Sequence, residues 1–394
     1  MITFVNFSYV TFVNELKYDM LDLSPNIYLD ERLKGRYIAP KHVNPILESL
    51  SPIFQKIQVG ASVKNKPIHK IEFGNGTKKI LMWSQMHGNE STTTKAVFDV
   101  LNFFGSQHVL AKHILNNCRI CVIPMLNPDG SEAYTRFNHN AIDLNRDAQE
   151  LTQPESIVLQ KVFKEFAPDY CFNLHDQRTI FNVSGTSLPA TVSFLAPAAN
   201  AEKTITAARA RAMTLIAVMN DALQKKITGQ VGRYDDGFNL NCVGDTFQSL
   251  NTPTILFEAG HFPGDYQRSK TRALIWESII VALEYIASSN SHKDRIEDYA
   301  NIPENEKFFF DIIIRDIPVL DRTELTKQDL AIQFKEELKN DKIVFEKELK
   351  GVGDFENYFG HREIRYTDYL DRIVALDDLN TSWVSAFLKN IQRK

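Results

Sequence analysis

The 394-residue sequence predicts an α/β fold: a mixed, mostly parallel central sheet flanked by helices, followed by a small C-terminal α+β domain. Three observations point there. From Lys78 onward, short apolar strand-like runs alternate with longer helical ones. After Ile286 the character changes to the polar stretch Ser288-Ser289-Asn290-Ser291-His292-Lys293-Asp294, which places a boundary near 290–308. The length exceeds that of one ordinary domain, as expected for a large unit plus a smaller one.

In chain order, strands are expected at 79–84, 119–125, 169–174 and 254–258, each a short apolar run between longer segments. The intervening segments read as helices at 91–104, 154–166, 202–226 and 268–287, with Thr152 as N-cap and Pro154 in the first turn of the second. Beyond the boundary, strand-like runs at 308–314 and 342–346 enclose an expected helix at 327–339. The apolar pattern becomes regular only after Met20, so residues 1–19 read as an extension of an N-terminal segment spanning 1–39.

A composition of 43% hydrophobic and 24% charged residues excludes global disorder. The formal charge of −4 offers no basic field for a phosphate backbone, so nucleic acid is not an expected partner. Met1–Phe7 is apolar but has no basic residue before it, unlike a signal peptide. The longest uncharged run contains polar residues and prolines and does not read as a membrane span. Four cysteines are too few for a disulfide scaffold and fit a reducing, cytoplasmic compartment. Cys118 and Cys121 form a CxxC inside an apolar run, which reads as core packing because no second CxxC completes a zinc site.

The chemistry sits in a series of motifs. His87-Gly88-Asn89-Glu90 follows the first strand directly; a His and a Glu three apart can turn toward one point and supply two metal ligands. Alone, HxxE is a common chance pattern. Here it is followed by Asn127-Pro128-Asp129-Gly130, by Arg136 upstream of Asp143-Leu144-Asn145-Arg146, by His175 at a strand end, and by Glu258 in the apolar run 255–260. In that order and spacing the chain resembles the M14 zinc metallocarboxypeptidases of the funnelin type over roughly residues 40–288. The Arg136-to-Asn145 spacing resembles the compact cytosolic-type members more than the digestive enzymes.

The resemblance implies a catalytic domain at 40–288, and the polar stretch after Ile286 sets off a linker at 289–308 from an accessory domain at 309–394. The resemblance also implies one zinc ion per chain held by His87, Glu90 and His175, with a fourth position open for water or substrate. Asp143 resembles the carboxylate that fixes the tautomer of a liganding imidazole; its plain reading is an Asp in a turn. Glu258 resembles the general base and acid, its plain reading being a core Glu paired with an Arg. Arg136 resembles the group that stabilises the oxyanion, while Asn145 and Arg146 resemble the pair that grips a substrate carboxylate. Tyr234 stands at the family's tyrosine distance before Glu258, although its surroundings, Arg233 to Phe238, depart from the family motif. His139 and His261 are competing ligands that do not match the pattern. After His175, the run Asp176-Gln177-Arg178 is unlike the digestive enzymes and suggests another charge facing the substrate.

The expected function is a metallocarboxypeptidase-like hydrolase acting on a peptide or acyl-amino-acid with a free carboxylate. A zinc amidohydrolase acting on N-acyl amino acids or cell-wall peptides is the alternative, and an inactive binding module on the same fold is the reading from another class. Oligomeric state is not legible in the sequence.

Overall fold

The computed structural model describes residues 25–289, 294–370 and 372–391, so the extension read at 1–19 lies outside the described residues. The strands are β1 Gln55–Ala61, β2 Pro67–Phe73, β3 Lys78–Ser84, β4 Cys118–Ile123, β5 Tyr170–Asp176, β6 Asn182–Val183, β7 Val192–Leu195, β8 Val231–Arg233, β9 Thr254–Ala259, β10 Asn305–Glu306, β11 Phe309–Asp321, β12 Glu324–Lys339, β13 Lys342–Gly353, β14 Phe359–Arg365 and β15 Val374–Ala375. The helices are α1 Pro40–Glu48, α2 Thr92–Gly105, α3 Val109–Asn117, α4 Pro128–Ala133, α5 Pro154–Phe166, α6 Ala207–Gln224, α7 Val243–Ser249, α8 Ser269–Ser288, α9 Ile296–Ala300 and α10 Thr381–Ile391.

The predicted fold class is the observed one. An eight-stranded sheet runs β1-β2-β4-β3-β5-β9-β7-β8, and its centre, β4-β3-β5-β9, is parallel. Period-two alternation divides each central strand between two cores. Ile80 and Met82 of β3 pack with α2, α3, α6 and α8 on one face, while Leu81 and Trp83 pack with α5 and α7 on the other. Cys118 and Cys121 are buried in β4, and burial pushes each thiol up to about 12, as for inert core cysteines. No helix among the described residues is long and apolar enough to cross a membrane.

Three local expectations are corrected. The helix expected at 327–339 is part of strand β12, hydrogen-bonded to β11 and β13. Its Lys and Glu residues favour helix, but Leu330, Ile332 and Phe334 alternate onto the core beneath α10, and sheet pairing overrides propensity. The N-cap of α5 is Gln153, with Pro154 opening the helix, whereas Thr152 gives its hydroxyl to Asp147 Oδ1 at 2.7 Å. Residues 296–306, read as linker, are instead built into the first unit: Tyr299 is buried in its core and β10 pairs with β6. The segment is too short to show a period in sequence.

Strands β1, β2, β7 and β8 were not legible; β1 is half exposed, and β7 and β8 are only a few residues long. The second sheet, β13-β12-β11-β14 with β15 on β11, covers one end of the first unit. Leu338 and Ile343 pack there on Tyr37, Ala39 and Tyr134.

Candidate active site

Strand order reverses around β3: β4 lies on one side and β5 on the other. In a parallel sheet, the crevice at the carboxyl ends beside such a reversal is the natural place for a site. The chain delivers its motifs to that edge. His87 to Glu90 follow β3, the NPDG motif follows β4, His175 nearly ends β5, and Glu258 nearly ends β9 as the register partner of His175.

The loop carrying His87 and Glu90 is fixed by its neighbour. Asn127 gives its side-chain amide to Met86 O at 3.1 Å and Phe137 O at 3.2 Å, and its Oδ1 accepts from Gly130 N at 2.8 Å. One side chain thus ties the loop after β3 to the segment that leads to and from Arg136. A Cβ on Gly88 would lie 1.9 Å from the Gly130 carbonyl carbon, so this close passage demands glycine. Asp176 accepts from the Thr92 and Thr93 backbone amides at 2.8 and 3.1 Å, capping α2 just beyond Glu90.

His87, Glu90 and His175 are brought together in a buried cluster whose donor atoms all lie within 4.8 Å of one another. Glu90 bridges the two imidazoles, with Oε1 at 2.7 Å from His87 Nδ1 and Oε2 at 2.8 Å from His175 Nδ1. The two Nδ1 atoms are 3.1 Å apart. Burial raises the proton affinity of the Glu90 carboxyl, but the two imidazoles outweigh it and hold the group well below the usual range. His87 Nε2 meets Asp143 Oδ1 at 3.0 Å; donating a proton there leaves the Nδ1 lone pair free toward the cluster. Two imidazole nitrogens and a carboxylate, with one tautomer fixed from behind, form a donor set that suits zinc.

Arg136 gives Nε to Asp143 Oδ2 at 3.0 Å, and its Nη1 lies 3.2 Å from His87 Nδ1 and 3.5 Å from Glu90 Oε1. Burial raises the Asp143 carboxyl's proton affinity, but the hydrogen bonds from His87 and the Arg136 charge prevail and keep it ionised. Glu258 is buried with Oε2 unpartnered, and its pKa is raised by that burial first and by Glu90 and Asp176 next.

Asn145 and Arg146 occupy the short turn Leu144–Arg146, whose start is capped by Asp143 accepting from Asn145 N at 2.9 Å. Asn145 Oδ1 accepts from Val243 N at 3.0 Å and so anchors α7. Arg146 is exposed and donates from Nη1 to Asn145 O at 2.7 Å. Tyr234 follows β8 with its ring 5.3 Å from that of Phe181; burial first, then Glu258 and Glu90, raise the pKa of its hydroxyl. His139 is exposed and outside the ligand cluster. His261 is buried against Tyr266 and His361, 4.6 and 4.2 Å away between ring centres, under the second sheet.

A cavity of about 310 Å³ adjoins Glu90 and Arg136, with Gln333, Phe334, Glu336 and Phe345 of the second sheet as its far wall. Arg36 crosses this junction, 3.1 Å from Glu336 Oε1 and 4.0 Å from Asp176 Oδ2, and Tyr134 gives its hydroxyl to Glu336. These residues carry no motif. The alternation of Leu330, Ile332 and Phe334 is the one signal that could have placed Gln333 and its neighbours on a strand.

Residues 44–176 match the zinc carboxypeptidase family model. Among curated proteins, the chain is 26% identical over 102 residues to carboxypeptidase 2 of Trichophyton rubrum, covering 25% of this chain and 19% of that protein. It is 30% identical over 92 residues to gamma-D-glutamyl-L-diamino acid endopeptidase 1 of Lysinibacillus sphaericus, covering 21% of this chain and 23% of that protein. The match thus spans about a fifth of the length of each of these two relatives. In fold it resembles carboxypeptidase A of Helicoverpa armigera, with a TM-score of 0.52 at 14% identity over 70% of this chain and 81% of that one. Over residues 44–176, then, the chain is similar to the zinc carboxypeptidase family, and its fold is that of a solved carboxypeptidase.

Proposed function

We propose that this protein is a zinc-dependent metallocarboxypeptidase-like hydrolase, cleaving an amide bond next to a substrate carboxylate. One observation carries the reading: the His87, Glu90 and His175 donor atoms converge, with the unpartnered Glu258 carboxylate on the neighbouring strand in register with His175. A zinc ion held by the three would supply Lewis-acid activation of water and of the scissile carbonyl.

The chain's own residues supply the rest. Glu258 takes the proton of the attacking water and passes it to the leaving amine, work for which a carboxylate of raised proton affinity is suited. Arg136, already within 3.5 Å of Glu90, places a guanidinium where the carbonyl oxygen gains charge. Arg146 and Asn145 receive the substrate carboxylate, and Tyr234 closes over the site from β8. The match to a gamma-D-glutamyl-L-diamino acid endopeptidase favours, as second reading, an amidohydrolase acting on cell-wall peptides with the same machinery.

Elemental analysis of protein purified without chelator should find close to one zinc per chain, and His175→Ala should lose most of it. Full retention in that variant moves the third ligand to another residue. Arg146→Lys should weaken kcat/KM for a free-acid substrate while scarcely affecting the corresponding C-terminal amide. A point ammonium cannot reproduce two parallel hydrogen bonds, so the coupling in a double-mutant cycle should be about 1.5–3 kcal/mol. Additive losses would mean that Arg146 does not touch the carboxylate.

A further inference from the structure

The cavity between the metal-ligand cluster and the second sheet lies on a definite side of the reaction. It is bounded by Glu90 and Arg136, but Asn145 and Arg146 do not line it. With a substrate carboxylate at Arg146 and the scissile carbonyl at Arg136, as the reading above requires, the cavity is left to the acyl side of the cleaved bond. Its volume of about 310 Å³ is that of a small-ligand pocket.

Two lining side chains hold polar atoms in reserve. Arg36, 5% exposed, has a buried Nε with no partner; Gln333, 3% exposed, has a buried Oε1 with none. Buried polar atoms are normally matched, so two orphans on one cavity wall point to a polar ligand.

The charges are also uneven. Every carboxylate in the lining is committed: Glu90 to the imidazoles, Asp176 to the start of α2, Asp311 to Tyr266 and Phe334 N, Glu336 to Arg36 and Tyr134, and Glu348 to Lys350. Arg178 lines the same cavity, is exposed, and makes no hydrogen bond or ion pair with any described residue. Asp176 and Gln177 beside it point into the protein, Gln177 Nε2 donating to Ala190 O at 2.5 Å. Of the run after His175, Arg178 alone is left for a ligand, and a guanidinium is the side chain best shaped to take a carboxylate with two hydrogen bonds.

We propose that Arg178, with Arg36 and Gln333 on the facing wall, forms an acyl-side subsite selecting substrates that bear a carboxylate on the residue preceding the cleaved bond. The second sheet is then a specificity element, since it supplies the wall that makes this cavity a pocket rather than an open edge.

The test uses the full chain as purified and two probes, N-acetyl-glutamyl-alanine and N-acetyl-glutaminyl-alanine, each N-methylated at the scissile amide so that neither is turned over. Titration calorimetry should show the glutamyl probe binding about tenfold tighter or more. Arg178→Gln should remove that preference by weakening the glutamyl probe alone, and Arg178→Glu should reverse it. Equal binding to the wild type, failure of both probes to bind, or a preference that survives Arg178→Gln overturns the subsite. Zinc content and hydrolysis of the unmethylated glutaminyl dipeptide are read on the same preparation. Hydrolysis without discrimination sinks the subsite and leaves the proposed function standing, whereas discrimination without zinc or hydrolysis does the reverse.

Discussion

Glu258→Gln is expected to keep the metal content and the unfolding midpoint of the wild type while lowering kcat by about a hundredfold or more. The substitution changes almost nothing in shape. It replaces a buried carboxylate whose Oε2 has no partner in the protein, so the amide breaks no contact that the fold relies on. What changes is the ability to take a proton from water and hand it to the departing amine, which an amide lacks. Single-turnover kinetics with metal content measured on the same sample check this, because a variant that lost zinc would also lose activity for an unrelated reason. Wild-type turnover in zinc-replete Glu258→Gln would remove Glu258 from the reaction and reassign proton transfer, with Tyr234 the next residue to change.

The second large effect concerns stability. Arg272 reaches from α8 to grip both Asp99 oxygens at 2.6 Å and donates to Leu33 O at 2.7 Å and Asp30 O at 3.1 Å. The two side chains are 5% and 3% exposed. This buried pair joins α2, α8 and the segment before α1, and burial lifts the Asp99 carboxyl above its ordinary range even with Arg272 beside it. Arg272→Met therefore leaves a carboxylate with no counter-charge and the Leu33 carbonyl with no donor, while Asp30 O keeps the Leu33 amide at 3.1 Å. The expected loss is about 3–5 kcal/mol in denaturant unfolding. Replacing Asp99 by Leu as well should recover part of it, because no unpaired charge then stays buried. A single Arg272→Met variant within 1 kcal/mol or so of the wild type would show that water reaches Asp99 freely.

The convergence of His87, Glu90 and His175 was legible because each sits within a few residues of a strand that sequence patterning could find. His87 and Glu90 follow β3, His175 lies in β5, and Glu258 lies in β9. Strand plus motif is local information, and a parallel sheet then aligns the strand ends without further instruction. The second sheet's part was not legible for the opposite reason. Arg36 and Glu336 are three hundred positions apart, and their pairing has no local signature. The Lys- and Glu-rich surface face of β12 also imitates a helix. Asp176 shows an intermediate case: the sequence marks it as a charge beside the site, but only the structure shows that its carboxylate is spent on the start of α2.

The wall of the cavity comes from residues 333–348, whereas the ligands and Glu258 all lie before residue 259. On a ribosome the chain emerges in that order, and domains fold as units as they appear. The sheet edge bearing the His87, Glu90 and His175 cluster can therefore assemble while the strand that bounds its cavity is still unmade. At that stage the edge of the sheet that carries His87, Glu90 and His175 has no second sheet facing it. Closure by β12, sealed through Arg36, Glu336 and Tyr134, is the event that turns an open sheet edge into a walled cavity. The timing of that closure can be followed by arresting synthesis before and after residue 348.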